Sequence, residues 1–211
     1  MTMVLEKVAL YPFRGGPALF PPISLTVPPG QIATLMGPSG IGKSTLLDFI
    51  GGHLGRGFRA SGRVLLDGID LTDVPAERRG IGVLFQDALL FPHLSVGDNL
   101  AFGLAAHVRG RSARRAAVAE ALVQAGMPGF EGRDPATLSG GQRARVALMR
   151  ALLAEPRALL LDEPFARLDA GLRADLRAFV FTHLRERSVP VVMATHDADD
   201  ADAAAGPVIN L

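Results

Sequence analysis

Cysteine is absent from this 211-residue chain. That excludes a disulfide framework and any zinc site built on thiolates, and it is compatible with a reducing compartment. Charge of one sign is also lacking. The formal net charge is +1 at pH 7, without the basic excess of a nucleic-acid binder. No apolar run reaches the ~18 residues that a membrane-spanning helix needs. The N-terminus has Glu6-Lys7 and then Pro12, not the basic-then-apolar pattern of a signal peptide. Internal repeats and low-complexity linkers are missing as well. Lysine is nearly so: arginine supplies most of the positive charge, and Lys7 and Lys43 are the only lysines. A lysine kept against that bias points to a need for a compact ammonium rather than a planar fork. The length suits one domain with a sizeable core.

Lys43 belongs to Gly37-Pro38-Ser39-Gly40-Ile41-Gly42-Lys43-Ser44, followed by Thr45, which fits G-x-x-x-x-G-K-[ST] in full. Before it, residues 31–36 read as a short buried strand; after it, residues 45–50 read as the start of a helix. Such a turn aims successive backbone N–H groups at one point, where the helix dipole also favours an anion. The pattern predicts a phosphate cradle over Gly37–Thr45. Lys43 reaches the β- and γ-phosphates, and Ser44 offers its hydroxyl to Mg²⁺.

Residues 158–161 are apolar and end in Asp162-Glu163-Pro164, the signature of a strand buried on both faces whose C-terminal end meets solvent. Ligands bind at that edge in open α/β sheets. Asp162 is expected beside Ser44 as a Mg²⁺ holder. Glu163, one residue on, suits a general base or a positioner of the attacking water. A second buried strand, residues 189–195, ends at His196, placed to touch the γ-phosphate. A further strand over residues 81–85 ends at Gln86, a candidate contact to Mg²⁺ or to the water.

The most discriminating stretch is Leu138-Ser139-Gly140-Gly141-Gln142. It opens a helix running through Gln142–Leu153, so Ser139, Gly140 and Gly141 present a second set of N–H donors. With these motifs the chain resembles an ATP-binding cassette (ABC) ATPase, the nucleotide-binding subunit of an ABC transporter. The likeness runs over nearly the whole length: the P-loop, Gln86, the Leu138–Gln142 signature, Asp162 with Glu163, Asp169 and His196. Residues 84–100 are similar to bacterial importers of polyamines, thiamine, oxyanions and iron.

The resemblance implies an α/β P-loop NTPase (RecA-like) core with an antiparallel β flap and an α-helical insert. It implies ATP and Mg²⁺ as cofactors. Two identical subunits close head to tail, with Gln86 and the P-loop of one chain and Ser139, Gly140, Gly141 and Gln142 of the other facing ATP. It implies a separate integral-membrane permease, a solute-binding protein in the complex, and a peripheral place on the cytoplasmic face of the cell membrane. No nucleic-acid partner is expected. Residues 1–86 and 155–211 are expected to form the core with the flap, and residues 87–154 the helical subdomain. Phe91, Pro92, Leu94, Val96 and Leu100 are expected to line a groove for a permease helix. Leu172, Leu176, Phe179, Val180 and Leu184 read as the apolar stripe of a late helix.

Departures from the family pattern stand out. The adenine-stacking aromatic is either Tyr11 or Phe13. Ala166-Arg167 precedes Asp169 where Ser-Ala is usual. The chain ends at Leu211 without the hairpin usual in the family, as either a minimal or a shortened form. Arg109, Arg111, Arg114 and Arg115 form a basic run read as a solvated helix start or a contact to lipid headgroups. Two other functions compete: a soluble ABC ATPase of the repair or translation type, and an ATP-gated module without hydrolysis. Glu163 and His196 speak against the second.

Overall fold

The computed structural model describes residues 1–166 and 170–211; Arg167 and Asp169 lie outside the described residues. The chain begins β1 (Met3–Pro12), β2 (Ile23–Val27), β3 (Ile32–Met36), α1 (Lys43–Gly51), β4 (Phe58–Leu66), β5 (Ile69–Asp70), α2 (Ala76–Arg79) and β6 (Ile81–Leu84). It continues with α3 (Val96–Phe102), α4 (Arg111–Gln124), a 3₁₀ turn (Pro135–Thr137) and α5 (Gly140–Leu153). Last come β7 (Ala158–Asp162), α6 (Ala170–Arg187), β8 (Val191–Thr195), α7 (Ala198–Ala204) and β9 (Val208–Asn210).

The apolar runs form the middle of a five-stranded sheet ordered β6-β7-β8-β3-β9. β3 pairs in parallel with β8 and β9, and β7 with β8. Residues 158–161 and 191–194 are fully buried, as expected where helices cover both faces of a parallel sheet. The register places Asp162 opposite Ala194, and Met36 opposite Thr195. The residues that follow each strand therefore emerge side by side at one edge. A four-stranded sheet ordered β2-β1-β4-β5 forms the flap. Its β4–β5 pair is antiparallel, turning at Asp67-Gly68 with φ of 53° and 77°, the left-handed pair that a tight hairpin needs.

α1 buries Leu46, Leu47, Phe49 and Ile50 against this core. Its C-terminal carbonyls meet a buried cation. Arg79 donates from Nη1 to Phe49 O at 2.9 Å and Ile50 O at 2.8 Å, from Nε to Val74 O and from Nη2 to Thr72 O. Positive charge at a helix C-terminus is favourable, and here it ties the P-loop helix to the flap.

The contacts divide the chain into two units. One comprises Met1–Val83, Arg157–Glu163 and Phe181–Leu211; the other comprises Leu84–Pro156 and Pro164–Val180. In the second unit α3 and α4 both pack on α5, with Val118, Leu122, Val146, Leu148 and Leu152 buried. Two expectations change here. Val96 and Leu100 have no exposed surface; they face the interior where α3 meets its neighbours and cannot line an open groove. The exposed apolar side chains nearby are Phe85, Leu89 and Phe102. Leu172, read as core, is 43% exposed, whereas Leu176, Val180 and Leu184 are buried as the stripe requires.

Candidate functional site

The P-loop runs from the end of β3 into α1. Gly40 and Gly42 have φ of 84° and 113°, conformations costly for residues with a side chain. A Cβ on Gly42 would also stand 3.0 Å from Leu19 Cδ1. Gly42 caps α1 and offers no side-chain acceptor, so the helix's first N–H groups are left for an anion. Lys43 is 4% exposed. Its Nζ donates to Gly37 O at 2.8 Å and Pro38 O at 3.2 Å, which holds the loop curled around the ammonium.

Ser44 and Asp162, 118 residues apart in sequence, meet where α1 begins and β7 ends: Ser44 Oγ donates to Asp162 Oδ1 at 2.9 Å. Burial raises the Asp162 carboxyl above the ordinary carboxylate value; the Ser44 hydrogen bond opposes this, Glu163 and Asp48 add to it, and Lys43 opposes it. A half-buried carboxylate against a hydroxyl is a pair of hard oxygen donors. That suits Mg²⁺, which takes one or two protein oxygens and fills its octahedron with water and phosphate. Among the described residues no group of three His, Cys, Asp or Glu side chains is placed to hold a metal, so a cage made wholly of such side chains is not built there.

Glu163 sits at the centre of this edge. Its Oε1 lies 3.6 Å from Lys43 Nζ, and its Oε2 lies 3.3 Å from His196 Nδ1. Its backbone is left-handed, φ 44°, a conformation that costs a non-glycine residue about 1–3 kcal/mol and that clusters at functional sites. The N–H of Glu163 donates to Ala194 O at 2.9 Å, which anchors the turn to β8. His196 follows β8 and is half-exposed. Behind it, Thr195 Oγ1 donates to buried Asp200 at 3.1 Å and accepts from Asp197 N. Sequence reading overlooked this support, which shows only once α7 turns back over the strand end.

The signature lies in the second unit. Ser139 is the N-cap of α5. Its Oγ accepts from Gln142 N at 3.2 Å, and its N–H donates to Gln142 Oε1 at 2.9 Å, a reciprocal capping box. Ser139 is exposed and Gly141 buried. Gln86 is exposed beyond β6, which ends at Leu84 rather than Phe85. It shares a cavity of about 240 Å³ with Gly140, Arg143 and Ala144 of α5's first turns. The structure thus brings Lys43, Ser44, Asp162, Glu163 and His196 together in one unit, and Gln86 beside the signature turn in the other. Asp169 falls outside the described residues.

Comparison with known proteins agrees with this geometry. Residues 20–166 match the family model described as ABC transporter. The chain is 53% identical over 181 residues to YnjD of Escherichia coli K12, named an uncharacterized ABC transporter ATP-binding protein, covering 86% of this chain and 83% of that one. It is 43% identical to FbpC 1 of Rhizobium meliloti, named an Fe(3+) ions import ATP-binding protein, covering 90% of this chain but only 53% of the relative. It is 45% identical to ThiQ of a Jannaschia species, named a thiamine import ATP-binding protein, with 84% and 76% covered. The chain spans about half the length of the iron relative. Among solved structures, the ATP-binding cassette MJ0796, a dimer in a post-hydrolysis state with ADP and Pi, superposes with a TM-score of 0.80 at 30% identity, covering 99% of this chain and 94% of that one. The match of residues 20–166 to this family model and the identity to these relatives make this protein a member of the ABC transporter family, an ATP-binding and ATP-hydrolysing subunit.

Proposed function

We propose that two copies of this chain close head to tail on two ATP molecules with Mg²⁺, and that closing and reopening drive a separate membrane permease in the import direction. The observation that carries this reading is that one chain has two half-sites of different kinds. The P-loop edge with Glu163 is one. The N-terminus of α5 is the other: its capping box occupies the N–H groups of Ser139 and Gln142, and those of Gly140 and Gly141 are offered to a γ-phosphate held by a second copy. Lys43 binds the β- and γ-phosphates through the cradle formed by Gly37, Pro38, Ser39, Gly40, Ile41, Gly42 and Thr45. Ser44 and Asp162 would hold Mg²⁺, which would neutralise phosphate charge. Glu163 takes the proton of the attacking water, and His196 orients that carboxylate while contacting the γ-phosphate. Of the two candidates for stacking on adenine, Phe13 is 61% exposed, whereas Tyr11 is partly covered within β1; Phe13 is the better fit.

Among the described residues no helix is long and apolar enough to cross a membrane. By likeness to the import ATP-binding relatives, the reading assigns the permease to another polypeptide and places this chain on the cytoplasmic face. The permease contact falls on exposed Phe85, Leu89 and Phe102. A cleft of about 700 Å³ lies between α3 and α4, lined by Ala101, Val118, Arg111, Arg114 and Arg115 together with Asp98 and Glu131. The relatives' names point to import systems for different solutes, iron and thiamine. Solute choice on this reading belongs to the permease and a solute-binding protein. Affinity purification from detergent-solubilised membranes tests it: an integral-membrane partner co-purifies. Recovery of ribosomes or DNA instead supports the soluble repair or translation type.

A further inference from the structure

The segment after Gln86 has no regular secondary structure until α3, yet polar side chains hold it along its length. Asn99 is fully buried. Its Oδ1 accepts from Phe91 N at 2.8 Å, and its Nδ2 donates to Phe91 O, Leu94 O and Ser95 O at 3.0 to 3.2 Å. Arg150, on α5, reaches the same segment. Its Nη1 donates to Leu89 O at 3.0 Å and to Asn99 Oδ1 at 3.4 Å, and its Nη2 to Ala88 O at 3.2 Å. Its guanidinium stands 5.2 Å from the centre of the Phe91 ring, within cation–π range. Burial pulls its pKa below the ordinary arginine value, a cost that a guanidinium making only a surface contact would not bear.

The segment meets α5 at two places, and Asn99, on α3, joins the second through Arg150. Gln86 shares its cavity with Gly140, Arg143 and Ala144 at the start of α5, and Arg150 grips Ala88 and Leu89 from further along it. Ser139 and Arg150 are 11 residues apart in the sequence, or about 16 Å along a rigid helix. We infer that Arg150 and Asn99 are positioning residues that fasten the Gln86 segment to the signature helix, so that Gln86 and Ser139 move as one piece. Neither touches nucleotide on this reading; they act through Gln86 and Ser139. A push on exposed Leu89 then displaces Ser139 without bending the chain between them. This deepens the proposed function and rests on the two-copy site described there. Only a planar fork meets three acceptors and stacks on a ring at once, so lysine cannot replace Arg150.

The absence of cysteine makes the test direct. Spin labels at Leu89→Cys and Val123→Cys, both on exposed side chains, report the separation between the held segment and α4. The parent pair gives a narrow distance distribution. Arg150→Ala, Arg150→Lys and Asn99→Ala each broaden it at a temperature where circular dichroism is unchanged. In a Glu163→Gln background the same variants raise the ATP concentration for half-maximal dimerisation by about 10-fold, with ATP binding by the monomer unchanged. Should Arg150→Ala fail to fold, Arg150→Lys decides, since it keeps the charge and the stem. A distribution that stays narrow with parental dimerisation overturns the inference, even if the melting temperature falls. If the unaltered Glu163→Gln chain does not dimerise with ATP, the two-copy reading fails, and the label distances alone then judge the fastening.

Discussion

Glu163 Oε2 faces His196 Nδ1 at 3.3 Å, although the two residues follow different strands. Parallel pairing of β7 with β8 puts Asp162 opposite Ala194, and each side chain then follows by a residue or two. The left-handed turn at Glu163 aims its carboxylate back toward the neighbouring strand and toward Lys43. A carboxylate held between Lys43 and His196 is preorganised for the role of base proposed for it rather than free to rotate.

Glu163→Gln keeps nearly the same shape and removes the proposed base. Turnover is expected to fall on the order of 10²-fold or more, while ATP binding persists and a dimer is trapped. Single-turnover hydrolysis and sedimentation with ATP and magnesium check this. Hydrolysis at the parental rate would remove Glu163 from the role of base.

Ser139→Ala removes one half of the capping box. The helix loses about 1 kcal/mol, visible as a modest fall in melting temperature. Dimer-dependent hydrolysis drops further than that stability loss explains, and nucleotide binding by the monomer is spared. Loss of monomer binding, read by titration with a fluorescent ATP analogue, would move Ser139 to the wrong half-site.

Asp48, on α1 below the P-loop, is raised above its ordinary value first by burial, with His53 opposing. A carboxyl raised in the folded state contributes stability that is fully present below the unfolded value of 3.8 and is lost as pH rises through the folded value. Asp48→Asn is therefore expected to raise the melting temperature at pH 7 and to leave it unchanged near pH 3. Thermal scans at the two pH values check the sign, and a stabilisation larger at pH 3 would contradict it.

The P-loop, the acidic strand end and the signature were legible because each is contiguous. Their glycines, capping pairs and apolar runs record local backbone geometry within a few residues. The proposed docking face was harder to read. Phe91, Pro92, Leu94, Val96 and Leu100 are all apolar on paper, but α3 turns Val96 and Leu100 inward and leaves Phe85, Leu89 and Phe102 outside. Apolar identity reports that a side chain prefers cover; it does not say which neighbour supplies it. Arg150 and Asn99 left no trace in the sequence, since their partners are mostly backbone carbonyls, which every residue has.

The linear order of residues was enough to identify a phosphate loop, its acid and its signature, because short-range sterics and capping are encoded where they act. Strand order and register decided the rest: that Ser44 meets Asp162 across 118 positions, that Glu163 lies between Lys43 and His196, and that one arginine of α5 holds the chain beyond Gln86. Contacts of that range depend on how whole elements stack, which is a property of the buried core and not of any local stretch.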